Sequence, residues 1–149
     1  MSSYTQLLYH IVWSTKHRAP ILNEENRASL FRYLSKILKN KNCYLYCMNG
    51  MDDHIHILTS IHQSLKVSVV VGELKRSSSI WIKKNNIFPG FESWQIGYGA
   101  FSLNYKDRHR VIQYIINQAE HHKKKSFATE YKDLLADHEI EFEEKYLWV

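Results

Sequence analysis

Apolar and polar positions divide this chain into short blocks that alternate between the periods of strand and helix. Gln6 to Ser14 (QLLYHIVWS) is apolar, aromatic and β-branched, which predicts a buried strand. The basic loop Lys16-His17-Arg18-Ala19-Pro20 follows. Asn23 then stands where a helix cap is needed, with Glu24 and Glu25 against the helix dipole. Phe31, Leu34, Ile37 and Leu38 recur at helical spacing until about Asn40. Cys43 to Met48 reads as a second strand and His54 to Ile61 (HIHILTSI) as a third, joined by more than a two-residue turn. A second helix is expected from Ser64, with Val67, Val70 or Val71, Leu74 and Trp81 on one stripe. Phe88-Pro89-Gly90 breaks the chain, and Tyr98 to Leu103 predicts a fourth strand, with Trp94 to Ile96 as a short fifth. Asp107 to about Lys125 is expected to form one continuous helix, its core arc being Val111, Ile112, Ile115 and Ala119. A shorter helix runs from Ser126 to about Ala136, and Glu139 to Val149 forms an irregular tail.

The order β-α-β-β-α-β, followed by helices, predicts an α+β fold of the split-βαβ, ferredoxin-like kind, with an antiparallel sheet and two helices on one face. No linker or repeat interrupts residues 1–149, so a single domain is expected. The second face of the sheet would be left bare, to meet a partner or a ligand. Such a fold hosts many activities, so function has to come from the side chains.

Composition narrows the classes. At 44% hydrophobic and 23% charged, the chain has too much apolar material for a disordered polyelectrolyte. Its net charge of +5 and 13% aromatic content suit a single-stranded polyanion, although an aromatic core under a mildly basic surface has the same composition. Cys43 and Cys47 form no C-x-x-C motif and read as free thiols of a reducing compartment. With no leader and no long apolar run, a cytoplasmic protein is expected.

Two constellations carry candidate chemistry. In His54-Ile55-His56, strand alternation sends both imidazoles to one side and Ile55 to the other, a plausible pair of metal ligands. Asp52 and Asp53 just before them are either turn residues or groups that orient an imidazole. In the last long helix, Tyr114 and Gln118 lie one turn apart, to one side of the core arc, with His121 beside Tyr114. A boundary tyrosine of no chemical role would look the same from the helix alone. Lys16, Arg18, Lys75, Arg76, Lys83 and Lys84 are candidate DNA contacts, or a solvated basic surface.

Taken together, these groups describe phosphoryl transfer. A divalent ion on two histidines and a third ligand would leave positions open for phosphate oxygens, and a tyrosine hydroxyl could attack. No G-x-x-x-x-G-K-[ST] loop is present, and exchange of one phosphodiester for another needs none. A non-catalytic nucleic-acid-binding module on the same fold is the alternative, but it leaves the His pair and the Tyr-Gln pair unexplained.

At these residues the chain resembles the single-tyrosine HUH transposases of the insertion-sequence 200/605 type. His54-Ile55-His56 corresponds to the His-hydrophobic-His motif, and Tyr114 with Gln118 (YIINQAEHH) to the nucleophile motif. The flanking similarity includes Tyr9 to Trp13, Lys75 to Ile82, Trp94 to Ser102 and Glu143 to Trp148, in the expected order. The resemblance implies a homodimer whose active sites combine the His pair of one subunit with the Tyr helix of the other. It implies cleavage of single-stranded DNA beside hairpin ends with Mg²⁺ or Mn²⁺, leaving a 5′-phosphotyrosine and a free 3′-OH. By this resemblance Tyr114 is the nucleophile and His54, His56 and Gln118 are the metal ligands, with His122 one turn further on as a competitor of Gln118. A domesticated nuclease acting on chromosomal repeats is the variant reading within the same family.

Overall fold

The computed structural model describes residues 2–149. Four antiparallel strands, β1 (Leu8–Ser14), β2 (Tyr44–Gly50), β3 (His54–Ser60) and β4 (Gly99–Leu103), form one sheet in the order β2-β3-β1-β4. This is the expected ferredoxin-like arrangement. Trp94 contributes only an isolated bridge to Thr15, so the short fifth strand does not form. Helices α1 (Glu24–Asn40) and α2 (Val67–Asn85) cover one face. The Asn23 side chain accepts from Asn26 N–H and caps α1 as the sequence predicts. Helix α2 begins at Val67 instead of Ser64, whose hydroxyl is engaged with the His62 ring.

Alternation along β1 and β3 separates two cores. Ile11, Trp13, Ile55 and Ile57 point toward α1 and α2 and pack with Leu34, Leu38, Val70, Val71 and Leu74. Val12 points the other way, as do its cross-strand partner His56 and the adjacent Ser14–His54 pair.

The second face is not bare, which corrects the sequence reading. After β4 the chain forms α3 (Arg108–Ile116), α4 (Gln118–His121) and α5 (Phe127–Asp137). Phe127, Tyr131 and Leu135 of α5, four residues apart along one stripe, bury against Val12 and Phe101. Gly99 makes room for this docking, since a Cβ there would lie 2.9 Å from the Tyr131 ring. A short helix α6 (Glu144–Leu147) lies within the expected irregular tail. Leu147 and Trp148 pack against this second core, and the Gln95 side chain donates to Leu147 O at 2.9 Å.

The expected single helix from Asp107 to Lys125 is instead broken at Asn117 (φ −86°, ψ 24°). Asn49, at the end of β2, donates its side-chain amide to Ile115 O and Ile116 O at 3.0 and 3.1 Å. Carbonyls held in this way help end α3. The break changes the helical phase: Gln118 turns inward and is fully buried, while Ala119, expected in the core, is exposed.

The β2–β3 connection sets the height of His54. Gly50 lies so close to the start of β3 that a Cβ would stand 2.4 Å from His54 O, a backbone atom that cannot move aside alone. Gly50→Ala is expected to lower unfolding stability by about 1–3 kcal/mol, measured by urea denaturation. An unchanged midpoint would mean the turn yields freely.

Candidate active site

Strand β3 delivers His54 and His56 to the second face, both with no exposed surface. Each is held from behind. Asp53 Oδ1 lies 2.6 Å from His54 Nδ1, taking the orienting role that was one of the two expected for the aspartates. His10 of β1, itself buried, places Nε2 2.8 Å from His56 Nδ1. Both histidines therefore turn Nε2 toward the helices.

Helices α3 to α5 bring the remaining groups. Gln118 Oε1 lies 2.9 Å from His54 Nε2 and 3.0 Å from His122 Nε2. Glu130 enters from α5, only 3% exposed. Its two oxygens divide the site. Oε1 faces the imidazoles, at 3.2 Å from His56 Nε2, 3.1 Å from His122 Nε2 and 3.5 Å from His54 Nε2. Oε2 accepts from the Tyr114 hydroxyl and from Gln118 Nε2. The Tyr114 and His56 ring centroids are 5.9 Å apart. One chain thus brings together all four residues singled out by the sequence, along with His122.

Sequence reasoning missed Glu130 and His10. Glu130 shares α5 with Asp133 and Asp137 beside the apolar stripe of Phe127, Tyr131 and Leu135, so the sequence held no signal that set it apart. His10 sits two residues before Val12 in an otherwise apolar strand, so its face was legible but its partner was not.

The electrostatics follow from burial. Burial drives the His56 imidazole down to about 4, against the opposing pull of Glu130. His10 is lowered well below the ordinary imidazole value, again chiefly by burial and then by His56. Burial also acts to lower His122, but the hydrogen bond and charge of Glu130 outweigh it and leave that ring raised. For Glu130, burial is overcome by hydrogen bonds from His122 and His56, which hold the carboxyl well below the usual carboxylate range. Tyr114 is raised above an ordinary phenol by burial and by the adjacent Glu130 charge, so it rests protonated.

The donor set suits a divalent cation. Asp53 fixes the proton of a neutral His54 on Nδ1 and leaves a lone pair on Nε2. That lone pair faces Gln118 Oε1, which is also an acceptor because the amide nitrogen is donated to Glu130. Two acceptors 2.9 Å apart call for positive charge between them. Neighbouring ligands of an octahedral cation at about 2.1 Å lie roughly 3 Å apart, close to the spacings found here. His54, His122 and Glu130 offer ligand atoms all within 4.8 Å of one another. His56 lies outside that group and touches it through Glu130 Oε1 at 3.2 Å.

The candidate DNA contacts are placed elsewhere. Lys75 Nζ donates to the carbonyls of Gln95, Ile96 and Gly97 at 2.5, 3.1 and 2.8 Å, and burial lowers it to about 8. The Arg18 guanidinium lies 4.3 Å from the Trp148 ring centroid. Lys16 pairs with Glu92 at 3.4 Å on the surface. Arg76, Lys83 and Lys84 are exposed on α2, across the sheet from the histidines. None of the six touches the site.

Comparison with known proteins decides the family. The profile described as "Transposase IS200 like" matches residues 3–118. This chain belongs to the IS200-like transposases. The transposase for insertion sequence element IS200 of Salmonella typhimurium is 29% identical over 120 residues, covering 77% of this chain and 78% of that one. The ISDra2 transposase TnpA of Deinococcus radiodurans is 25% identical over 118 residues, covering 76% and 84%. A crystal structure assigned as a transposase from Deinococcus radiodurans R1 superposes with a TM-score of 0.61 at 25% identity, covering 79% of this chain and 95% of that one. The fold is shared as well with a REP-associated tyrosine transposase solved bound to a REP hairpin, with a TM-score of 0.61 at 18% identity, covering 81% and 74%. Membership of the IS200-like transposases implies DNA cleavage and strand transfer as the activity class of the chain. Among the described residues, no helix is long and apolar enough to cross a membrane.

The lowered imidazoles fix a pH response. His10 and His56 bind protons more readily in the unfolded chain, near pH 6.5, than in the folded one. Stability contributed by their neutral forms is complete above about pH 6.5 and is lost as pH falls toward about 4. The raised His122 opposes this, but it is one group against two. In chelator, the thermal midpoint should fall across that window, and His10→Gln should flatten the fall. A flat profile in the parent protein would contradict these imidazole environments.

Proposed function

We propose that the chain cuts and rejoins single-stranded DNA beside hairpin ends through a 5′-phosphotyrosine formed on Tyr114. The observation that supports this reading is the carboxylate of Glu130, which ties the Tyr114 hydroxyl to the imidazole cluster. His54, His56 and Gln118 would hold Mg²⁺ or Mn²⁺, with His122 and Glu130 Oε1 as neighbouring candidate ligands. Such an ion, when bound, supplies positive charge to the phosphate oxygens.

The chain's own groups do the rest. Tyr114 Oη attacks phosphorus, and Glu130 Oε2 stands where the phenolic proton leaves. The bond from phosphorus to the 3′-oxygen breaks, and that oxygen departs as a hydroxyl after taking a proton from solvent. Reversal with a second 3′-OH rejoins a strand, so no high-energy cofactor is consumed. Burial of the cluster keeps its dipoles fixed during the reaction.

The resemblance implies a homodimer with shared sites. In this structure Tyr114 already meets the histidines of its own chain, which supports a site completed within one subunit. Mixing Tyr114→Phe with His54→Ala protein should then restore no activity. Recovery of adduct in the mixture would establish exchange of the helices between subunits.

The principal test incubates labelled single-stranded DNA carrying hairpins with the protein and Mn²⁺. A covalent adduct is expected, lost with chelator and lost in Tyr114→Phe. Glu130→Gln should weaken metal affinity by about 10- to 100-fold, read by titration of the metal against adduct yield. An adduct that persists in Tyr114→Phe would remove that residue from its role.

A further inference from the structure

A cavity of about 550 Å³ borders Tyr114 between β4, α3 and the end of α5. It is distinct from the cavity of about 250 Å³ on the Lys124–Lys125 side of the same ring. Its size is that of a small-ligand site. His10 and the buried Phe101 supply aromatic surface, and His138 stacks on Phe101 with ring centroids 4.4 Å apart. His138 is itself exposed, so its imidazole is available for a second planar group. Its Nδ1 donates to Leu134 O at 2.8 Å, which fixes the ring. The charged lining is Asp107 and Asp137 against the single Arg110. Two carboxylates repel a phosphate and favour a flat group that donates hydrogen bonds. None of Asp107, Asp137 and His138 takes part in the cluster around Glu130.

We propose that this cavity receives the base of a nucleotide next to the phosphate attacked by Tyr114, and that it selects bases with an exocyclic amine over thymine. The proposal rests on the strand-transfer reading of Tyr114. Stacking on the aromatic surface gives affinity for any base, and acceptance of an amino group by Asp107 or Asp137 gives the preference. The pocket would thereby set which step along a strand enters the reaction, independently of hairpin recognition.

The test uses strands whose cut position is mapped from sequenced adducts. Each of the two nucleotides flanking the cut is replaced in turn by an abasic site. One replacement should slow adduct formation by roughly tenfold or more, and His138→Ala should reproduce that loss on the intact strand. Thymine at that position should be disfavoured by the parent protein and accepted by the double variant Asp107→Asn, Asp137→Asn. Full-rate reaction of both abasic strands would overturn the proposal while leaving the Tyr114 reaction intact. If no strand gives an adduct, occupancy is read from 2-aminopurine fluorescence in single strands bound to Tyr114→Phe. A signal change abolished by His138→Ala would keep the cavity and sink the tyrosine mechanism, and no signal change would sink the cavity.

Discussion

The arrangement on the second face of the sheet depends on one buried carboxylate. Glu130 is set among the rings of His54, His56 and His122, with the amide of Gln118 and the phenol of Tyr114 on its other oxygen. A charge so enclosed is tolerable only when surrounded by donors or by a cation. Four elements meet around it: β3, α3 with Tyr114, the turn of helix after Asn117, and α5 itself. Remove the carboxylate and the imidazoles lose their common acceptor. Remove the imidazoles and a negative charge is stranded in an apolar layer.

Each of these groups is held by something ordinary. Strand alternation aims the histidines, Asp53 and His10 fix their ring orientation, and Asn49 takes carbonyls at the end of α3 so that Gln118 can turn inward. Gly50 and Gly99 leave the space in which β3 and α5 approach. The backbone around the site is therefore shaped by local hydrogen bonds and missing side chains as much as by apolar burial.

The fold was legible because its periods are clean. The apolar run of β1, the alternating HIHILTSI and the stripes of α1 and α2 each point to one element, and their order leaves one common topology. The pairing of His54 with His56 was legible for the same reason, whereas Tyr114 and Gln118 meet on Glu130 across a break in the helix and not along one continuous face. The helix break at Asn117 was not, because its cause is a side chain more than sixty residues away in sequence. Glu130 was hidden by a related difficulty: a carboxylate beside an apolar stripe reads as an exposed boundary residue until the facing imidazoles are known. Two of the basic residues also have partners within the fold. Lys75 and Arg18 carry charge that suggests DNA, yet the fold uses one to bind three carbonyls and the other to cover Trp148.

The two cores of this protein are unequal. The first joins both long helices to the sheet through sixteen buried apolar residues, whereas the second rests on Val12, Phe101, Phe127, Tyr131 and Leu135. Because apolar burial sets much of the cost of separating layers, α5 can lift from the sheet at a smaller cost than either α1 or α2. Glu130 travels with it. The carboxylate that gathers the imidazoles thus rides on the more lightly anchored of the two layers.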